Sequence, residues 1–479
     1  MRQVLALIAL LILTVVSATW LAIQFVETPE GTIRLAAGDP NGAYAKLART
    51  WKEELERFGV QLLLSREEGG EARSALLSGK VDAAFLIGGY STSLKYFSYG
   101  QDPKIMQEES NLRSIGRMFD EPIWVYYRRL QSTEEGLQKF KGKRILIGTE
   151  DSGTANVIKM LLHANGIPED GSADLPPTKL IEAAIPDDAA PLVGPADAEG
   201  AADAAFIMLP SDNLTVKTLL DSPNDILLMD FEDVADAYLS KFPFLSRVVM
   251  HRGAHRFAPN IIPTANITLL ATAPALVVRK DMHPALASLL THVTVVKPKS
   301  AIDAATGYPV MFHKAGKFPH IGDPEYEVHK EATAYHKSGE LPLVLRNVGP
   351  FAAKRDVPFW VTAVMSQHGT KILLLAIPIL SVVIPLGRFV PVLYSWVIRR
   401  KLLYWYDRLK ALELALSGPK ATSAQVSRAN DELQTIDEAV SRLRIPRQFS
   451  EQLYELRTHI NLVEQRLSAK RARPQPERS

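Results

Sequence analysis

At 479 residues the chain has room for several domains, and its net charge of +2 supplies no global field for nucleic acid. It contains no cysteine, which removes disulfides, thiolate metal sites and a cysteine nucleophile together. That absence is compatible with an exported protein and does not establish one.

The chain opens on an apolar stretch, residues 4–26, interrupted only by Ser, Thr and Gln and preceded by Arg2. Its length suits a membrane-spanning helix of about 20 residues. A cleaved signal peptide, with Val16-Ser-Ala18 at the cut, is the alternative. Under either reading, residues 1–28 carry the region after them out of the cytoplasm.

From there the pattern is that of an α/β protein. Residues 33–37 predict a strand, 43–58 a helix and 60–64 a second strand. A further helical stretch after Gly69-Gly70 leads into Gly79-Lys-Val-Asp-Ala-Ala-Phe85. Residues 121–127 predict a strand that crosses to a second unit. There the order repeats: strand 144–147, loop 148–154, helix 155–164, strand 180–185, then Gly200-Ala-Ala-Asp-Ala-Ala-Phe206. Residues 266–278 read as a single return strand and 283–290 as a helix. A repeated strand–loop–helix order predicts two similar lobes, and a cleft between lobes is a natural ligand site. The two-lobed domain covers 29–310, with one lobe at about 29–118 plus the return segment and the other at about 119–255. Asp82 and Asp203, at matching places in the repeat, read as structural acids rather than a catalytic pair. Phe85 and Phe206 read as core, with residues 87–90 and Met208 near the cleft. Glu67-Glu68 reads as a solvated charge pair.

Residues 311–370 read as an irregular connector. Its four histidines, His313, His320, His329 and His336, are separated by seven, nine and seven positions, which matches no compact zinc motif. They are expected to be exposed, with no metal. Phe359 and Trp360 suit the headgroup level of a bilayer. Residues 371–398 then predict a transmembrane helix. Pro378, Pro385 and Pro391 are tolerable in a membrane, and Arg388 would snorkel or meet a protein partner. Arg399-Arg400-Lys401 directly after it places the C-terminus in the cytoplasm. In the tail, 399–479, three apolar stripes at spacings of three and four residues are separated by prolines. They predict a small antiparallel helical bundle or a coiled coil that self-associates. The basic end, Lys470-Arg471-Ala-Arg473, is a candidate contact for anionic lipid.

Several motifs in order carry a family resemblance. They are Ala37-Gly38-Asp-Pro-Asn-Gly42-Ala-Tyr44, Gly69-Gly70, Leu76-Leu77-Ser-Gly79-Lys-Val-Asp82, Leu112-Arg-Ser-Ile-Gly-Arg-Met-Phe119 and Lys141-Gly-Lys-Arg-Ile-Leu-Ile-Gly148-Thr-Glu-Asp-Ser152-Gly153-Thr154. Over about residues 30–300 the chain resembles the TAXI family of extracytoplasmic solute receptors of tripartite ATP-independent periplasmic (TRAP) transporters. The resemblance implies a type II periplasmic-binding-protein fold in the periplasm of a bacterial inner membrane. It implies a small organic anion as ligand, a dicarboxylate or an amino acid, and permease subunits as partners, with no cofactor.

The expected ligand contacts lie in loops that open helices, where unpaired amides attract anions. They are Asn41, Gly42, Ala43 and Tyr44 in the first lobe, joined by Gly69 and Gly70, and Ser152, Gly153 and Thr154 in the second, with Met208. An ordinary capped turn is the bland reading of both loops. Asp39-Pro40 departs from the family pattern, and its extra carboxylate disfavours a simple anion. No Gly-x-Ser-x-Gly elbow, Walker loop or His-Glu-x-x-His occurs, so an enzyme is not expected. A membrane sensor that signals through the span to the tail is the alternative to a transport receptor.

Overall fold

The computed structural model describes residues 28–98, 100, 102–129, 134–150, 152–167, 177–185, 188–209, 211, 213–222, 226–296, 318–416, 423–443 and 449–471. They form two compact units, Val26–Gly369 and one built on Thr370–Ser479.

The first unit contains two five-stranded sheets, which define lobe 1 and lobe 2. In lobe 1 the chain runs β1 (Thr32–Ala36), α1 (Ala43–Glu56), β2 (Gln61–Ser65), α2 (Gly69–Leu77), β3 (Ala83–Leu86), α3 (Tyr90–Phe97), α4 (Pro103–Ser110) and β4 (Leu112–Arg117). It crosses to lobe 2 through β5 (Glu121–Pro122) and β6 (Trp124–Arg128). Lobe 2 continues with β7 (Arg144–Leu146), α5 (Gly153–Ala164), β8 (Lys179–Ile181), α6 (Ala190–Val193), β9 (Ala204–Ile207), α7 (Leu214–Leu220), β10 (Ile226–Leu228) and α8 (Ala235–Lys241). The return is made by β11 (Ser246–Met250), β12 (Ile267–Thr272), β13 (Ala275–Arg279) and α9 (Pro284–Val296).

The two main sheets have one topology. Lobe 1 is ordered β2-β1-β3-β13-β4 and lobe 2 β8-β7-β9-β6-β10. In each, three parallel strands are followed by one antiparallel strand from a crossing segment. The parallel strands read as near-continuous apolar runs because both faces are covered. Ala83-Ala-Phe-Leu86 and Ala204-Ala-Phe-Ile207 are buried at every position. On α1, Leu47, Ala48, Trp51 and Leu55 recur at three/four spacing and are all buried against lobe 1.

The two crossings differ from expectation in detail. Residues 266–278 make two strands, because Pro274 has no amide to continue the ladder. Residues 121–127 are likewise divided after Pro122. The halves β5 and β12 pair antiparallel, Glu121 opposite Thr272, so both connections between lobes lie side by side. Such a pair of strands is a natural hinge.

The stretch expected to be an irregular connector differs more. Its described residues, from 318 on, carry α10 (Lys330–Ser338) and α11 (Leu343–Ala353), and Phe318, Tyr335, Leu341, Leu345 and Phe359 complete the lobe 1 core. His329, expected to be exposed, is buried, and its ring nitrogen accepts the Glu331 amide at 3.2 Å to cap α10. Burial pushes its pKa down to about 4. His320 is exposed, His336 is half-buried, and His313 lies outside the described residues.

The second unit contains the part of α12 (Phe359–Leu416) from residue 370 on, with α13 (Ser423–Ser441) and α14 (Ser450–Arg471). Leu402, Leu409 and Leu412 pack with Leu433, Ile436 and Val440 and with Leu456, Ile460, Val463 and Leu467. The three stripes therefore cover one another within the chain. Among the described residues no helix is long and apolar enough to cross a membrane. The expected span, 371–398, is helical in backbone, but most of its side chains lie outside the described residues, as do residues 1–27.

Candidate functional site: the interlobe cleft

The repeated tract builds a frame. Asp82 accepts from the Arg34 amide at 2.8 Å and from its guanidinium at 3.0 and 3.0 Å, and returns its own amide to the Arg34 carbonyl at 2.8 Å. Asp203 treats Arg144 identically, with 2.9 Å to the amide, 3.2 and 2.8 Å to the guanidinium, and 2.8 Å from its amide to the Arg144 carbonyl. Each aspartate ties the start of the third strand to the first. Neither lines the cleft.

At the other end of these strands, both lobes present a helix opening to one cavity of about 690 Å³. Asn41, Gly42, Ala43 and Tyr44 line it from lobe 1, with Gly69. Ser152, Gly153, Thr154 and Met208 line it from lobe 2. Gly70, expected beside Gly69, is not on the wall. Phe85 and Phe206 are buried core residues as expected, and both also reach the cavity. The lobes approach closely at Gly153, where a Cβ would stand 2.5 Å from Ile87 Cγ2. Glycine at that place is what permits the contact.

The two openings are chemically unlike. At α5, Ser152 Oγ accepts the Ala155 amide at 3.1 Å, so one amide is already used. At α1 the cap is Gly42 and no side chain covers the first amides. Around that open end stand carboxylates. Glu121, on the hinge strand β5, accepts from Tyr44 Oη at 2.9 Å. Burial pushes its pKa up to about 7, against the opposing effect of that hydrogen bond. Burial and the neighbouring Asp39 and Glu71 also raise Glu68. Lys46 is the one cation on the wall among the described residues.

Sequence reasoning did not single out Glu121, Lys46 or Glu68. Glu121 is signalled only by an adjacent pair of acids, Asp120 and Glu121, entering an apolar strand. Glu67-Glu68 is not a solvated pair. Glu67 binds Lys80 at 2.5 Å, which with Ser65 pulls its pKa down to about 2, while Glu68 faces the cleft. Outside the cleft, Glu325 accepts from the amides of Gly89 and Thr92 at 2.5 and 2.8 Å, capping α3 from the segment after the lobes. Among the described residues no cluster of histidines and acids is arranged to hold a metal ion.

The NMT1-like family model matches residues 36–295, more than half of the chain and nearly all of both lobes. The chain belongs to the NMT1-like family. No curated protein matches the chain. Solved structures similar to this NMT1-like chain include a periplasmic substrate-binding protein of an ABC transporter from Coxiella burnetii. That protein is 16% identical over 59% of this chain and 100% of its own, with a TM-score of 0.33. A nutrient-binding protein from Burkholderia cenocepacia bound to methionine is 17% identical over 59% and 99%, with a TM-score of 0.31. The substrate-binding protein of a methionine transporter from Streptococcus pneumoniae is 14% identical over 58% and 94%, with a TM-score of 0.32. At these values the likenesses do not speak to the ligand.

Proposed function

We propose that the chain is a membrane-anchored extracytoplasmic solute receptor, of the type II periplasmic-binding-protein design, that closes its lobes on an amino-acid-sized ligand. The observation that carries this is the convergence of two helix openings, 41–44 and 152–154, on one interlobe cavity above a paired-strand hinge. A receptor needs no reacting groups. Its work is the difference in affinity between open and closed states.

Of the two ligand classes expected, the wall favours an amino acid over a dicarboxylate. The amides that open α1 suit a carboxylate, while Asp39, Glu68 and Glu121 suit an ammonium group and repel a second carboxylate. The TAXI-like motifs support delivery to TRAP-type permease subunits. The two apolar segments, 4–26 and 372–398, support anchoring with the lobes in the periplasm and the tail in the cytoplasm. A second reading, a sensor that passes lobe closure to the tail, draws support from the compact helical core of the C-terminal unit.

Native mass spectrometry of residues 26–369 tests the receptor: a co-purified zwitterion of amino-acid mass is expected. Thermal-shift titration with amino acids and with dicarboxylates tests the class. A cleft that binds neither, or that prefers a dicarboxylate, sinks the respective part of the reading.

A further inference from the structure

In the C-terminal unit a cavity of about 490 Å³ has no assigned role. Trp396, Arg400 and Tyr404 line it from α12, spaced i, i+4 and i+8 on one face, beside Val397, Lys401 and Trp405. Leu443, just beyond α13, closes it. Another face of the same turns, Ile398, Leu402 and Leu409, is buried in the bundle core.

Among the cations of this unit, Arg408 pairs with Glu432, Arg442 with Glu438 and Arg466 with Glu413. Among the described residues Arg399, Arg400 and Lys401 have no carboxylate partner. The Arg400 guanidinium instead lies over the Trp396 ring, 5.2 Å from its centre. Trp396 and Tyr404 are each more than half exposed, at 56% and 54%. A concavity with unpaired cations and exposed amphipathic rings fits an anion that carries apolar substituents.

We propose that this pocket binds the phosphate headgroup of an anionic membrane lipid. The Arg400 fork and the Lys401 ammonium take the phosphate. Trp396, Tyr404 and Trp405 lie at the depth where such rings are favoured. This rests on the reading that residues 372–398 span the bilayer, which puts the pocket at its cytoplasmic surface. A free phosphate ion would leave Trp396, Val397 and Leu443 without a partner, so the lipid is the better match.

The test uses the full chain in nanodiscs of phosphatidylcholine with and without phosphatidylglycerol, with the lipids retained after partial delipidation read by mass spectrometry. Phosphatidylglycerol is expected to be enriched around the unaltered chain. The Arg400→Gln/Lys401→Gln double variant should lower that enrichment roughly 25-fold, about fivefold per cation near an anionic surface. Arg466→Gln, whose charge is already paired, should leave it unchanged. Equal retention of both lipids by the unaltered chain overturns the proposal without any variant. Release of the lipid by millimolar inorganic phosphate overturns it in favour of a soluble anion. Alkaline carbonate extraction separates the pocket from the span. A chain that stays in the membrane yet shows equal retention keeps the span and loses the pocket. One that is extracted yet still selects phosphatidylglycerol loses the span and keeps the headgroup site.

Discussion

The two lobes share a sheet order, an Arg–Asp clamp and a helix opening toward the same cavity, yet they differ where a ligand would touch them. The α1 end is uncapped and ringed by Asp39, Glu68 and Glu121, whereas the α5 end is capped by its own serine. A duplicated scaffold with unlike openings teaches that the frame and the specificity are separable. The clamps hold strands together and are interchangeable in role. The openings are not.

The largest expected effect belongs to the acidic opening. Glu121 is raised in the fold from 4.5 to about 7 by burial. Between those values the folded chain holds a proton that the unfolded chain has lost. Its contribution is therefore fully present below 4.5 and is lost as pH rises through about 7, by roughly 3 kcal/mol. Urea midpoints at pH 5 and pH 8 should differ in that direction, and Glu121→Gln should flatten part of the slope. Glu325, also raised to about 7, retains the rest. A ligand ammonium beside Glu121 would displace the same proton, so affinity for an amino acid should rise from pH 6 to pH 8. Unchanged slope in the glutamine variant would remove Glu121 from the account.

The clamps come next, and here equality is the prediction. Asp82→Ala and Asp203→Ala each remove the acceptor of one backbone amide and a forked guanidinium. Each should cost about 2 kcal/mol, most of it from the amide because Arg34 is 46% exposed and screened. Chemical denaturation should give matching losses with ligand affinity retained in whatever remains folded. Loss of binding at full stability would return the aspartates to the cleft. Gly153→Ala should cost about 1–2 kcal/mol by forcing a methyl onto Ile87. A double-mutant cycle with Ile87→Ala should show strong coupling between the two, and additive effects would mean that the lobes do not meet there.

Much of this arrangement is legible in the residues themselves. Both strand–loop–helix units, the structural role of Asp82 and Asp203 and the three tail stripes follow from periodicity and repetition, which are local properties. The illegible part depends on distant partners. Glu121 looks like the first residue of a strand until the fold brings Tyr44 onto it, 77 positions away. Glu325 looks solvent-bound until it caps a helix 233 positions earlier. The histidine-bearing stretch reads as irregular because Pro and Gly interrupt its pattern, yet its aromatic residues finish the lobe 1 core. Pro274 divides a run whose apolar content alone predicts one strand.

The smallest effect tests the contrast most directly. Ser152→Ala frees the Ala155 amide and should lower stability by about 1 kcal/mol, the usual cost of losing a side-chain cap. It also makes the α5 end resemble the bare α1 end, with one more amide facing the cavity. If the ligand carboxylate sits at α1, where the amides are already free, the substitution should leave affinity unchanged once the stability loss is allowed for. If it sits at α5, the freed amide should tighten binding. Isothermal titration of the variant therefore decides which opening receives the carboxylate.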